Sequence, residues 1–182
     1  MEVIVNIKFK DKEIKEILKS MVIIVDSREQ ENSHILNYFD KKKILYKVSK
    51  LNYGDYSVMV PKNNEFGIDR DIYLDNQIVI ERKNSLDELA NNFSKGRERF
   101  QNEFLRAKGA NILLMIENAK YSDLINHNYR SLFSEKAFLA SLKSFEAKYN
   151  ISTNFIDDDS LSGNFIYYSL YYKVRQVLIG GA

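Results

Sequence analysis

Ile78-Val79-Ile80-Glu81-Arg82-Lys83 is the stretch on which the reading of this chain turns. Three β-branched residues run directly into three charges, the pattern of a buried strand reaching its end. Side chains alternate along a strand, so Glu81 and Lys83 share one face and Arg82 takes the other. On the C-terminal side, Ser85 followed by Glu88 reads as a capping box that opens a helix. That helix buries Leu86, Leu89, Ala90 and Phe93, is kinked or interrupted at Gly96, and continues through Phe100, Phe104 and Leu105 towards Lys108, with Gly109 as its C-cap. On the N-terminal side, residues 61–75 are rich in Asn, Asp, Lys and Gly and read as a hairpin loop. Before them lies a strand, Tyr56–Val60, with Gly54 in the turn that leads into it. No helix joins the two strands, so Tyr56–Val60 and Ile78–Lys83 are expected to be antiparallel.

Further out, Val22-Ile23-Ile24-Val25 and Ile112–Ile116 read as buried strands, and residues 44–50 and Ile151–Ile156 as two more. Helices are expected near residues 32–43 (Ile35, Leu36, Phe39), around Phe138, Leu142, Phe145 and Tyr149, and over 160–178. Strands alternating with helices imply an α/β domain, with a central mixed sheet flanked by helices. At the start, Val3, Val5, Ile7 and Phe9 alternate like a half-buried strand, and Ile14, Ile17, Leu18 and Met21 follow helical spacing. The expected organisation is an N-terminal strand–helix extension over 1–21 and one main domain over 22–182.

The chain has no cysteine, which excludes disulfides and thiolate metal sites. With only His34 and His127, a histidine-rich zinc site is not expected either, and a metal would be held by carboxylates. No apolar run approaches a membrane span, and the first residues lack a signal-peptide pattern, so a cytoplasmic location without membrane partners is expected. The net charge is only +2, so any nucleic-acid binding must come from local clusters of Lys and Arg.

Asp55 in the turn and Glu81 on the neighbouring strand form a pair of carboxylates with Lys83 beside them. Such a pair can hold Mg²⁺ or Mn²⁺ through oxygen, with the lysine orienting a water or offsetting charge that develops on a phosphate. The ordered set Gly54-Asp55, Glu81-Arg82-Lys83 and Asp87 resembles the signature of the XPF family of structure-specific endonucleases. Val25-Asp26-Ser27-Arg28-Glu29, Lys95-Gly96-Arg97, Ile112–Glu117, Ser141-Leu142 and Phe165-Ile166 with Leu170 extend the resemblance over roughly residues 22 to 178. It implies a restriction-endonuclease-like nuclease domain that hydrolyses phosphodiester bonds in branched, flapped or forked DNA, with a divalent metal and no small-molecule cofactor. It also implies a homodimer, and a short member without the helix–hairpin–helix domain. Lys95 departs from the acidic residue of the family's turn, and the Asp55–Glu81 interval is long, which implies an inserted hairpin.

The resemblance makes Asp55, Glu81, Lys83, Arg82, Asp26 and Arg28 the catalytic candidates, and Asp55, Glu81 and Asp26 the metal ligands. Arg97, Arg99, Lys95 and Arg106 are candidate DNA contacts, because a basic cluster on one helix can neutralise several phosphates. Alternatives stand beside these. Asp26 is either a site acid or a turn cap, and Arg28 a phosphate contact or half of a salt bridge. Arg82 either acts with the signature or pairs with Asp26 or Asp55. Asp87 matches the signature and also suits the first turn of a helix, and Glu29 has a similar choice. The aromatic stretch Phe165, Tyr167, Tyr168, Tyr171 and Tyr172 is a dimer surface or core packing. The alternatives for function are a catalytically silent DNA-binding subunit, or a junction or RNA nuclease of the same fold.

Overall fold

In the computed structural model, residues 8–107 and 109–180 are described. The strand expected over Val3–Phe9 therefore lies almost wholly outside the described residues, as does Lys108. The elements run in the order α1 (Asp11–Ser20), β1 (Val22–Val25), α2 (Ser33–Lys42), β2 (Tyr46–Val48), β3 (Tyr56–Val60), β4 (Ile72–Tyr73), β5 (Ile78–Lys83), α3 (Leu86–Ser94), α4 (Arg97–Arg106), β6 (Asn111–Glu117), α5 (Tyr121–Ile125), α6 (Glu135–Tyr149), β7 (Ile151–Ile156) and α7 (Ser162–Ile179). The strands form one mixed sheet ordered β2-β1-β3-β5-β6-β7, with β4 paired to the far end of β3. β3 is antiparallel to β5, as expected, and also to β1, while β6 runs parallel to β5 and β7.

Alternation in the strands builds two large cores, beside a small cluster of Ile24, Leu51 and Met59. Ile23 and Val25 of β1, Tyr56, Val58 and Val60 of β3, Ile78 and Ile80 of β5, and Met115 of β6 pack with the buried faces of α1, α2 and α7. Val79 of β5 and Ile112, Leu114 and Ile116 of β6 pack with Leu89 and Phe93 of α3, Phe100 and Phe104 of α4, and Phe138, Leu142 and Phe145 of α6. The parity of β5 thus sends Arg82 to the first face, and Glu81 and Lys83 to the second. α1 is an integral part of the first core: Ile14, Ile17 and Leu18 are buried there together with Met21. On the same face α7 approaches α2 so closely that a Cβ on Gly163 would lie 2.8 Å from the Cβ of Tyr38.

The long helix read after Ser85 is two helices. Its chain breaks at Lys95-Gly96, where both N–H groups turn back to the Asn91 carbonyl at 3.0 Å. The break lets α4 lean over the end of the sheet while Phe93 and Phe100 stay in edge contact, with ring centroids 5.6 Å apart. The hairpin read over 61–75 is an excursion that folds back through β4 and re-enters the core at Ile68 and Leu74.

Candidate active site

Asp55 is placed by backbone geometry. Its N–H donates to the Ile80 carbonyl and its own carbonyl accepts from the Asp26 N–H, both at 2.8 Å, which locks the β3 start between β1 and β5. The preceding Gly54 has φ +70°, and a Cβ there would sit 2.9 Å from the Cβ of Val79. Only glycine meets both conditions without strain. The Asp55 carboxylate accepts the Arg82 N–H at 2.7 Å through Oδ2 and faces Glu81 across the strand pair. Burial, then Glu81, then Glu29 push this carboxyl well above the ordinary aspartate range, against the opposing pull of Lys83 and of the Arg82 N–H.

Glu81 and Lys83 are each 7% exposed, and the ammonium donates to Glu81 Oε1 at 2.7 Å. Burial alone would favour a neutral amine, but Glu81, Asp55 and Glu88 outweigh it and hold Lys83 above the ordinary lysine value. Lys83 is therefore a cation at neutral pH and cannot take a proton. Its Nζ lies 5.1 Å from the Phe100 ring centroid, which fixes the side chain over α4. Ser85 caps α3 by accepting the Glu88 N–H at 3.2 Å. Glu88 reaches back to the Asn84 N–H at 2.9 Å instead of the Ser85 N–H, which closes the strand-to-helix turn one residue earlier than a standard box.

Asp55, Glu81 and Lys83 open into a cleft of about 560 Å³ whose wall also includes Arg28, Tyr53, Arg99, Glu103 and Arg106. Arg28 is held on the rim by Asp26, whose Oδ1 takes its backbone N–H and Nε and whose Oδ2 takes its Nη2. The second Asp26 oxygen also accepts the Leu51 N–H. Four donors fill the acceptor sites of a carboxylate, so the Asp26 side chain organises the turn and aims Arg28, and has no lone pair left for a cation.

The ERCC4 domain family matches residues 25–169. The chain belongs to this family. Among the solved structures similar to the chain are two of one archaeal protein. XPF from Aeropyrum pernix has a TM-score of 0.58 and 19% identity, over 84% of this chain and 61% of that one. XPF from Aeropyrum pernix in complex with DNA has a TM-score of 0.60 and 18% identity, over 86% and 66%. The chain thus spans less than two thirds of either, and at these identities the likeness is one of fold. No curated protein matches the chain.

Several residues of the ERCC4 domain signature stand apart from the cleft. Arg82 points to the opposite face, where it donates to Glu117 at 2.7 Å and to both Glu29 oxygens at 3.4 Å; Asp26 and Asp55, the side-chain partners weighed for it, are not those it takes. Glu29 is thereby an ion-pair partner, its carboxyl raised by burial against the pull of Arg82. Asp87 accepts the Arg130 and Ser131 N–H groups at 2.9 and 2.7 Å and pins the loop between α5 and α6. Of the four basic residues expected on DNA, Arg99 and Arg106 line the cleft. Arg97 instead donates to Ser141 Oγ at 3.1 Å and lies over the Phe145 ring, and Lys95 lines a separate hollow beside Asp87 and Arg130.

Two functional candidates escaped the sequence reading. Glu117 was read only as the end of a core strand, although a charge with the parity of Arg82 was the counter-ion that a buried guanidinium required. Glu103 carries no motif in the sequence that singles it out from the other charges of the helix. It lies in the cleft, its carboxyl raised by burial and by Glu81.

Proposed function

We propose that the chain is a metal-dependent DNA endonuclease. The observation that carries this reading is one cleft in which two coupled carboxylates, a fixed ammonium and three guanidinium groups converge. Among the described residues no three Asp, Glu or His side chains gather as a preformed metal cage. The Asp55–Glu81 pair nonetheless fits a hard cation: its donors are oxygens, and burial, then the facing Glu81 charge, raise the Asp55 carboxyl, a cost that a divalent ion held by both would offset. Mg²⁺ is commonly bound by one or two carboxylates, with waters and substrate phosphates completing its shell. Held by Asp55 and Glu81, such an ion supplies Lewis acidity towards a phosphoryl oxygen.

The chain's own groups do the rest. Lys83, permanently charged, offsets negative charge growing on the phosphate during attack by water, and by holding Glu81 keeps that carboxylate in place. Asp26 and the Leu51 carbonyl occupy Nε and Nη2 of Arg28, which leaves Nη1 to donate to a phosphate oxygen. Arg99 and Arg106 lie seven residues apart on α4 and grip flanking phosphates. Branched, flapped or forked DNA is the proposed substrate class. The pair of molecules needed for a homodimer would meet through α7, where Tyr168 and Tyr172 stand about half exposed beside the partly buried Tyr167 and Tyr171. The test is cleavage of end-labelled flap, fork, duplex and single-stranded DNA with Mg²⁺, Mn²⁺ or EDTA, beside Glu81→Ala. Metal-dependent cutting lost in the variant supports the reading. Absence of cutting by the parent under every metal sinks it and leaves a silent DNA-binding subunit, and sedimentation as a monomer at micromolar concentration removes the dimer.

A further inference from the structure

We infer that Glu117 is a positioning residue for the cleft, acting through Arg82 on Asp55; the inference rests on the reading of Asp55 and Glu81 as the cation-holding pair. Glu117 ends β6 on the face of the sheet that does not carry the cleft, and is 1% exposed. Its Oε2 accepts Arg82 Nη2 at 2.7 Å and its Oε1 meets His34 Nε2 of α2 at 2.9 Å. Burial pushes its carboxyl up, but the neighbouring Arg82, Ser162 and His34 groups outweigh that and hold it below the ordinary glutamate range. Arg82 also reaches Glu29, so a single guanidinium ties the end of β5 to the end of β6 and to the turn after β1.

The backbone of the same residue faces the other way in effect. The Arg82 N–H donates to Asp55 Oδ2 at 2.7 Å, so whatever fixes Arg82 also fixes the direction of the Asp55 carboxylate. With two carboxylates required to face one cation, a shift of a few tenths of an ångström at Arg82 changes the bite of the pair. Buried ion pairs contribute little net stability compared with apolar packing. The Glu29–Arg82–Glu117–His34 chain instead supplies geometry, as residues behind a metal's ligands do. Loss of the Glu117 charge leaves Arg82 with Glu29 alone, at the longer distance of 3.4 Å, and draws the β5 end towards the β1 turn.

The experiment is Mn²⁺ binding by calorimetry on the full chain, with Glu117→Gln, Arg82→Lys, the double variant and Asp55→Asn, each confirmed folded by circular dichroism. Glu117→Gln should weaken Mn²⁺ affinity about 10- to 100-fold, and lower kcat on the preferred DNA with KM unchanged, because the DNA-contacting arginines are untouched. If the two residues act as one unit, the double variant is no worse than the poorer single one. Wild-type Mn²⁺ affinity and kcat in folded Glu117→Gln overturn the positioning role. Asp55→Asn separates the two readings: if it binds Mn²⁺ as the parent does, the site itself has been misplaced. If it loses Mn²⁺ while Glu117→Gln does not, the site stands and only the positioning role falls.

Discussion

A partly buried carboxylate facing a second one is held at a cost to stability, and Asp55 carries that cost. Its folded carboxyl titrates above its unfolded value, so between the two the folded state binds more protons and stability falls as pH rises. The penalty is absent below about pH 4, the ordinary aspartate value, and grows as pH rises towards the folded value. Asn keeps an oxygen for the Arg82 N–H but carries no charge. Asp55→Asn should therefore melt a few degrees higher than the parent at pH 7, with the gain vanishing on acidification, while cleavage is abolished. A lower melting temperature at pH 7 would show that the repulsion is already relieved in the folded chain. In the parent, protons and a cation compete for the same oxygens, so cleavage should decline on acidification while pH is still above the ordinary aspartate range.

At the level of elements, α4 supplies the phosphate grip, and its two basic faces are not equivalent. Arg99→Ala and Arg106→Ala should each lower the slope of log affinity against log salt by roughly 0.9, whereas Arg97→Ala leaves the slope unchanged. The comparison is made by fluorescence anisotropy on duplex DNA without metal, and equal losses for all three would mean that the cleft is not the DNA track. The sequence showed that this stretch was helical and basic, since the apolar stripe and the arginines were plain. It did not show which arginine faced where, because that depends on the turn at Lys95-Gly96, whose angle is set by Phe93, Phe100 and Phe145 packing from three separate helices. β5 was legible for the opposite reason: two-residue alternation leaves no freedom once one face is known to be buried. The shared face of Glu81 and Lys83 followed from it, while Asp55 was marked by the turn at Gly54 and the resemblance. The partners of Arg82 and Asp26 did not, being contacts between residues 2 to 53 positions apart that no periodicity encodes.

At the scale of the whole molecule, the division at residue 21 does not coincide with a division of the core. Ile17 is 1% exposed among residues of β3 and α7, although α1 precedes the part of the chain matched to the family. Ile17→Ala should cost about 2–5 kcal/mol, read from urea unfolding with an unchanged m-value, and removal of residues 1–20 should leave a chain that no longer melts cooperatively. A truncated chain with parental stability would make α1 an appendage. The alternation in β5 has a different consequence for how the chain tolerates changes of length. One residue added within Ile78–Lys83 would exchange the occupants of the two faces, putting the guanidinium into the cleft and the acid and amine into the clamp, so both would be lost at once. Residues 62–67, by contrast, lie in an exposed tip between β3 and β4 and can grow at little entropic cost. Length is thus free in the excursion and fixed to the single residue in the strand that follows it.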